Sequence, residues 1–328
     1  MRSKEDLKRE AMGLTVGTLP DHIENVGEIV VNLIAGSKTL ALLTPQTGIK
    51  AGSTEQLNIL STNVTWSDGD CVATETGDNT VLTPRDITTT RLTDRELMCL
   101  DVLDSKLPMI QAAGARNEEL PFASLFMETK VKQNAKQLEV LTWQGSTATG
   151  LGNLALVDGF LELALLDTGG LGYEAVYGAG DLAGIANFAA NPIGTIEAIA
   201  KNRTDEMFER EDFTIFMSLS DYFLLNKDIR DTYGINATGD FTNTGMENVE
   251  QTMVFPGTNI MICGTHGMNG SGQLFATYIE NMRYGTDLES DKEDVQLFFD
   301  KFHKVLVSDI VFSIGYQYQD PTQVVWIS

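Results

Sequence analysis

The sequence is poor in the residues that build reactive or metal-holding centres. Only three histidines occur in 328 residues, His22, His266 and His303, each in a different segment. No HExxH or other ligand pair exists, and no GxSxG elbow presents a serine nucleophile; a spatial Ser-His-Asp grouping is left open by the sequence. Three cysteines, Cys71, Cys99 and Cys263, stand far apart without a CxxC. That excludes zinc-ligand spacing and a disulfide framework, and it points to a reducing compartment. Long apolar runs are also missing. The greasiest stretch, residues 29–43, is broken by Gly36, Ser37 and Lys38 and falls short of the ~20 residues a membrane span needs. The charged opening MRSKEDLKREAMG shows no apolar core of a signal peptide. Positive charge is scarce: 23 Lys and Arg stand against 46 Asp and Glu, a net charge of −23. This argues against a sequence-reading nucleic-acid binder, since its face needs bases to displace counterions. The balance suits a protein that repels polyanions, or one whose partners are copies of itself.

Hydrophobic residues make up 42% of the chain, enough for one large domain or two ordinary ones. The strongest local signal is residues 121–144. Pro121 suits a first helical position, Glu118 and Glu119 favour the positive end of the helix dipole, and Gly145 is a natural stop. The run between them spans about 36 Å as a helix. Phe122, Leu125, Phe126, Val131, Ala135, Leu138 and Leu141 form its apolar stripe at steps of three and four. Such a helix is either an ordinary core helix or the backbone of a β-rich shell subunit.

Residues 1–45 read as an arm, with apolar pieces at 28–34 and 39–43. Residues 47–100 are β-like. Gln56–Trp66 and the Thr-rich Val81–Thr93 flank turn clusters at 67–70 and 75–79, predicting an extended hairpin. Its polar faces bury little, and a lone two-stranded ribbon is marginal in water, so it needs another surface to lie on. Leu97–Leu107 reads as a short helix closed by Pro108. After the long helix come a helix at 156–167, Gly-rich loops at 168–191, a helix at 191–209 capped by Asn191, a buried strand at 213–218 and a helix at 221–233. This is one α/β layer unit. Strands follow at 259–263, 273–282, 295–302 and 306–318. The last alternates Ile310, Phe312, Ile314, Tyr316 and Tyr318 against Val311, Ser313, Gly315 and Gln317.

Three further stretches invite chemistry and lose it on spacing. GAGDLAG (178–184) is one residue off the dinucleotide fingerprint, and Asp181 would face pyrophosphate with the wrong sign. GTHGMNGSG (264–272) lacks the GK[ST] of a phosphate loop. TDLESDKEDV (286–295) is the densest acidic run, but Lys292 and Phe298 fall where a calcium loop needs Gly and Glu; it reads as a solvated loop.

The order of these pieces carries a resemblance. WSDGDCVATETGDNTVLTPRDITTTRLTDRELMCLDVLD (66–104), LEVLTWQGSTATG (138–150), LVDGFLELAL (156–165), DFTIFMSLSDYFLL (212–225), PGTNIMICG (256–264) and residues 281–321 together resemble the HK97-type major capsid proteins of tailed bacteriophages. They are similar in particular to those of crAss-like and related Bacteroidetes phages. The resemblance implies an α+β fold with an N-terminal arm (1–46), a β-hairpin E-loop (47–96), a peripheral P domain (97–155 and 273–328) built on the spine helix 121–144, and an axial A domain (156–272).

It further implies a structural role without enzymatic activity, cofactor or metal. The subunits would assemble into hexamers and pentamers of an icosahedral shell around double-stranded DNA, bound without sequence preference. Lys50, Trp66, Asp68, Asp70 and Arg85 are the expected intersubunit residues of the E-loop, and Leu125, Leu138 and Leu141 the packing face of the spine helix. Expected partners are other copies of the chain, a portal protein, a separate scaffolding protein, since the hairpin begins too early for a fused one, and decoration proteins. No membrane is involved; the site of residence is the virion, after assembly in the host cytoplasm. Some family members crosslink through an E-loop Lys, but the only Lys in 47–100 is Lys50, at the hairpin's base, which argues against it here. Two alternatives stand beside this reading: an encapsulin-like shell with protein cargo, and a ligand-binding or enzymatic α+β domain with loops 168–190 as a pocket rim.

Overall fold

The computed structural model describes residues 36–63, 79–99, 122–167, 188–201, 203, 205–233, 252–287, 294–300 and 305–327. The first described element starts at Ser37, whose hydroxyl accepts from Leu40 N and caps α1 (Lys38–Leu42). β1 (Thr44–Thr47) follows. β2 (Thr54–Asn63) and β3 (Asn79–Thr88) then pair antiparallel, with Thr54 opposite Thr88 and Asn63 opposite Asn79. This is the expected hairpin. The return strand, read as continuous to Thr93, breaks at Thr89, where the chain leaves the ribbon as β4 (Thr90–Cys99). A helix expected from Leu97 is absent over 97–99; the strand continues because β11 (Val305–Tyr318) offers a partner as far as Val305 opposite Cys99.

α2 (Phe122–Gln144) is the long helix. α3 (Phe160–Asp167) follows a short 3₁₀ turn at Gly152–Ala155. The single helix read over 191–209 is two, α4 (Pro192–Lys201) and α5 (Asp205–Glu209). Between them Arg203 turns inward: its guanidinium lies 4.3 Å from the Phe208 ring and 5.2 Å from that of Phe213, and its Nε donates to Ala200 O. β5 (Phe213–Ser218) and α6 (Leu219–Tyr233) complete the unit. The remaining strands are β6 (Thr252–Val254), β7 (Met261–Thr265), β8 (Leu274–Tyr278), β9 (Met282–Thr286), β10 (Asp294–Asp300) and β12 (Val325–Ile327).

Among the described residues, two five-stranded sheets and the ribbon result. β11 is the axis of the first sheet. β4 occupies one edge along 305–314, while β10 and then β9 share the other, and β1 extends the sheet beyond β9. The second sheet runs β12-β8-β5-β7-β6, with β5 and β7 parallel. Every residue of β5 is buried. Phe213, Ile215 and Met217 join α4 and α6 in one core, while Phe216 faces α2 in the other. An unbroken apolar run of this kind is what a strand covered on both faces requires.

The two sheets are joined through the end of α2. Trp143 is fully buried, with ring centroids of Phe160, Phe216 and Phe275 at 5.7, 4.9 and 5.5 Å. Just beyond it the chain crosses itself backbone to backbone, Gly159 N donating to Gly145 O at 2.8 Å. A Cβ on Gly145 would sit 2.2 Å from Val157 O, and one on Gly159 2.7 Å from Leu141 O. The WQG and DGF motifs therefore mark a crossing that only glycine admits. Asp158 braces it by accepting from Thr147 N and Oγ1.

Candidate functional site

Among the described residues, the ribbon's contacts with the body lie toward its root. There Ile49, Leu57 and Ile87 form a small buried cluster, and buried Thr89 donates from Oγ1 to Lys50 O at 3.1 Å. The underside is tight: a Cβ on Gly315 of β11 would lie 2.1 Å from Thr88 O. Away from the root, Asn58, Thr80, Leu82 and Pro84 are exposed, and Leu82 keeps 57% of its surface in water. Lys50 is exposed in the turn before β2, its carbonyl accepting from Ser53. Trp66, Asp68 and Asp70 lie outside the described residues.

Arg85 is drawn toward its own chain. Its guanidinium pairs with Asp167 at the end of α3, donates to Gln317 Oε1 at 3.1 Å and stacks 4.5 Å from the centre of the Tyr318 ring. The Tyr318 hydroxyl donates to the same Asp167 carboxylate. Gln317 also reaches the ribbon, its Nε2 donating to Asp86 O at 2.9 Å. Burial first, and the neighbouring carboxylate second, push the Tyr318 phenol well above its ordinary value.

On the spine helix α2, Leu138 and Leu141 are buried in the main core; Leu125 lies on the helical backbone near its start. The sequence periodicity missed Glu139, only 3% exposed on the same helix. Its carboxylate accepts from Ser37 Oγ at 2.5 Å, Thr39 N at 3.0 Å and Thr39 Oγ1 at 2.5 Å. Trp143 Nε1 donates to Thr39 Oγ1 in turn, at 2.8 Å. A buried charge is tolerated because three donors replace its water. The clamp fixes α1 to the long helix α2. A charged residue three positions after Lys136 gave no local signal, because its partners are about a hundred residues away. Nearby, burial pushes the Cys263 thiol up to about 12 and Tyr316 higher than its ordinary range.

Of the chemical candidates, the loop 264–272 lies within the described residues, whereas 178–184, His22, His303 and Cys71 lie outside them. Ser218 Oγ donates to Asp221 Oδ2 at 2.7 Å and accepts from Asp221 N, closing the start of α6. His266 Nδ1 lies against Asn269 Nδ2 at 3.3 Å, and Asn269 Oδ1 accepts from Leu219 N. The Ser218 hydroxyl is thus directed at the Asp221 carboxylate as part of the helix cap. Among the described residues no group of three or more His, Cys, Asp or Glu is placed to hold a metal, and no helix is long and apolar enough to cross a membrane. Asp287, read as part of a solvated run, is buried. Of the expected pocket rim 168–190, residues 168–187 lie outside the described residues and Phe188–Ala190 form a short 3₁₀ turn. A cavity of about 150 Å³ opens between α2 and β4, bordered by Leu92, Asn134, Leu138 and Leu156.

No protein-family model matches the sequence, and no curated protein matches it. Solved structures do. A chain of the satellite phage P4 procapsid that includes the size determination (Sid) protein aligns over 92% of this chain and 98% of its own, at a TM-score of 0.54 and 10% identity. A chain from the capsid of an empty GTA particle aligns over 99% and 97%, at 0.53 and 12%. A chain of Mycobacterium phage Cain aligns over 87% and 84%, at 0.50 and 13%. The likeness is one of fold: this chain has the α+β HK97-like capsid fold.

Proposed function

We propose that this chain is the major capsid protein of a tailed bacteriophage, assembling into hexamers and pentamers of an icosahedral head around double-stranded DNA. The observation that carries the reading is the ribbon β2–β3, a two-stranded sheet whose described contacts with a body of HK97-like fold lie toward its root. Apolar surface left in water on such a ribbon is stabilised at about 25 cal/mol per Å² when a second copy covers it. Contacts of this head-to-tail kind close into rings. The net charge of −23 supports a container for DNA, because it limits sticking to the genome.

In this reading residues 1–46 are the arm, 47–96 the E-loop, 97–155 with 273–328 the P domain, and 156–272 the A domain. Lys50, Trp66, Asp68 and Asp70 meet the neighbouring subunit, and a portal protein, a separate scaffolding protein and decoration proteins complete the particle. The protein resides in the virion after assembly in the host cytoplasm. Electron microscopy and light scattering of the purified protein test this: concentration-dependent growth into closed megadalton shells is expected, and a monomer at every concentration overturns it. Shells from infected cells that hold protein cargo and no DNA overturn the genome-container part. Deleting 67–80 should leave a folded body that makes no stable shell; normal particles from that deletion refute the ribbon's role.

A further inference from the structure

The residues at the ribbon's root have a property that simple packing does not require. Asp167 is the last residue of α3, where a negative charge opposes the helix dipole. Its carboxylate serves two groups from elsewhere, the Arg85 guanidinium on β3 and the Tyr318 hydroxyl on β11. Arg85 is held by four features at once: the Asp167 pair, Gln317 Oε1, the face of the Tyr318 ring, and a backbone that Gln317 grips at Asp86 O. Yet Arg85 Nε is buried without a hydrogen-bond partner, and the Arg85 and Asp167 side chains keep 18% and 31% of their surface in water. An ion pair at that exposure is weakly stabilising, and an unpaired buried N–H works against it. The arrangement is closed but shallow.

We infer that Arg85, Asp167, Gln317 and Tyr318 form a latch that sets the angle at which the ribbon leaves the body of the free subunit, and that opens when the ribbon docks on a second copy. Arg85 and Asp167 are positioning residues, acting through the ribbon's direction and not as the docking surface itself. The second half of the inference rests on the shell-forming reading; the first half does not. The latch links β3 of the ribbon, β11 of the first sheet and α3, so one contact fixes three elements. Its energetic shallowness lets docking contacts replace it.

The test is a distance measurement between spin labels on Leu82→Cys, on the exposed ribbon, and Leu151→Cys, on the body, with Cys71 and Cys99 replaced by Ser. The protein with its latch intact should give a single narrow distance. Asp167→Ala should lose that narrow peak with no loss of thermal stability, because Ala favours the end of α3. Arg85→Gln should do the same, and combining the two should add nothing further, as coupled partners require. Tyr318→Phe, which keeps the ring and removes the hydroxyl, should broaden the distribution less and serves if either charge variant folds poorly. An unchanged narrow distance in Asp167→Ala and Arg85→Gln overturns the latch, as does broadening that appears only with a fall in thermal stability. The measurement needs no assembly: broadening in a protein that never forms shells keeps the latch and removes the shell reading. Shells formed by variants with an unbroadened distance do the reverse.

Discussion

Two antiparallel ladders in this molecule are of equal length and unequal fate. β2–β3 and β4–β11 each pair ten residues with ten. The second is covered: Leu92, Ile310, Phe312 and Ile314 are buried in the main core, and Lys130 of α2 reaches Asp94 at 3.1 Å and Glu96 at 2.5 Å. Among its described residues the first buries Leu57 and Ile87 at its root and leaves Leu82 in water. Backbone hydrogen bonds are the same in kind in both, so they do not explain the difference. What separates the ladders is a third partner. β11 has strands on both edges and a helix on its face, whereas among the described residues no second strand lies beside either ribbon strand, and such an edge is a natural template for another chain.

Cutting into the covered ladder should have the largest effect. Phe312→Ala is expected to cost about 3–5 kcal/mol in urea unfolding. Should it prove silent, β11 is not the structural axis. Glu139→Ala comes next, at about 3 kcal/mol, because Ser37, Thr39 N and Thr39 Oγ1 lose their acceptor together; a loss below ~1 kcal/mol would mean water takes its place. Lys130→Met releases two partly exposed pairs and should cost about 1 kcal/mol, less in high salt. Leu82→Ser on the ribbon should change stability by no more than about 0.5 kcal/mol while impairing assembly. A large stability loss there would show that the ribbon is covered by its own chain.

Alkaline pH sharpens the same contrast without mutation. Burial raises Tyr316 and Tyr318 on β11, Tyr284 on β9 and Cys263 on β7. Each is held neutral by its surroundings, so its stabilising share is complete below its ordinary value and is lost as pH climbs through the raised one. For Cys263 that window runs from 9.0 to about 12. Tyrosine absorbance should therefore ionise together with unfolding of the sheets, and a thiol reagent at about pH 8 should leave Cys263 unmodified until the protein unfolds. Rapid modification of Cys263 in the folded protein would contradict its burial.

Local pattern was sufficient for much of this. The alternation in 306–318, the apolar run 213–218, the Gly-free run after Pro121 and the two strands around a polar turn are all period-2 or period-3.6 signals, set by neighbours within a few residues. They placed β11, β5, α2 and the ribbon, and the order of these pieces pointed to the HK97-like fold. Where the local reading failed, a distant partner had the deciding vote. Residues 97–99 stay extended because β11 lies alongside, and the helix over 191–209 divides around the inward turn of Arg203.

The amino-acid order alone determined the long and strongly periodic elements, β5, β11, α2 and the ribbon, and that one pair of strands is too thin and too polar to bury itself. Only the tertiary structure decided that Glu139 is a buried clamp, that Arg85 faces its own body, and that Gly145 and Gly159 meet. Those contacts join residues separated by 14 to more than 200 positions in the chain. Periodicity reports which side of an element a residue occupies; what stands opposite that side is settled when the elements pack.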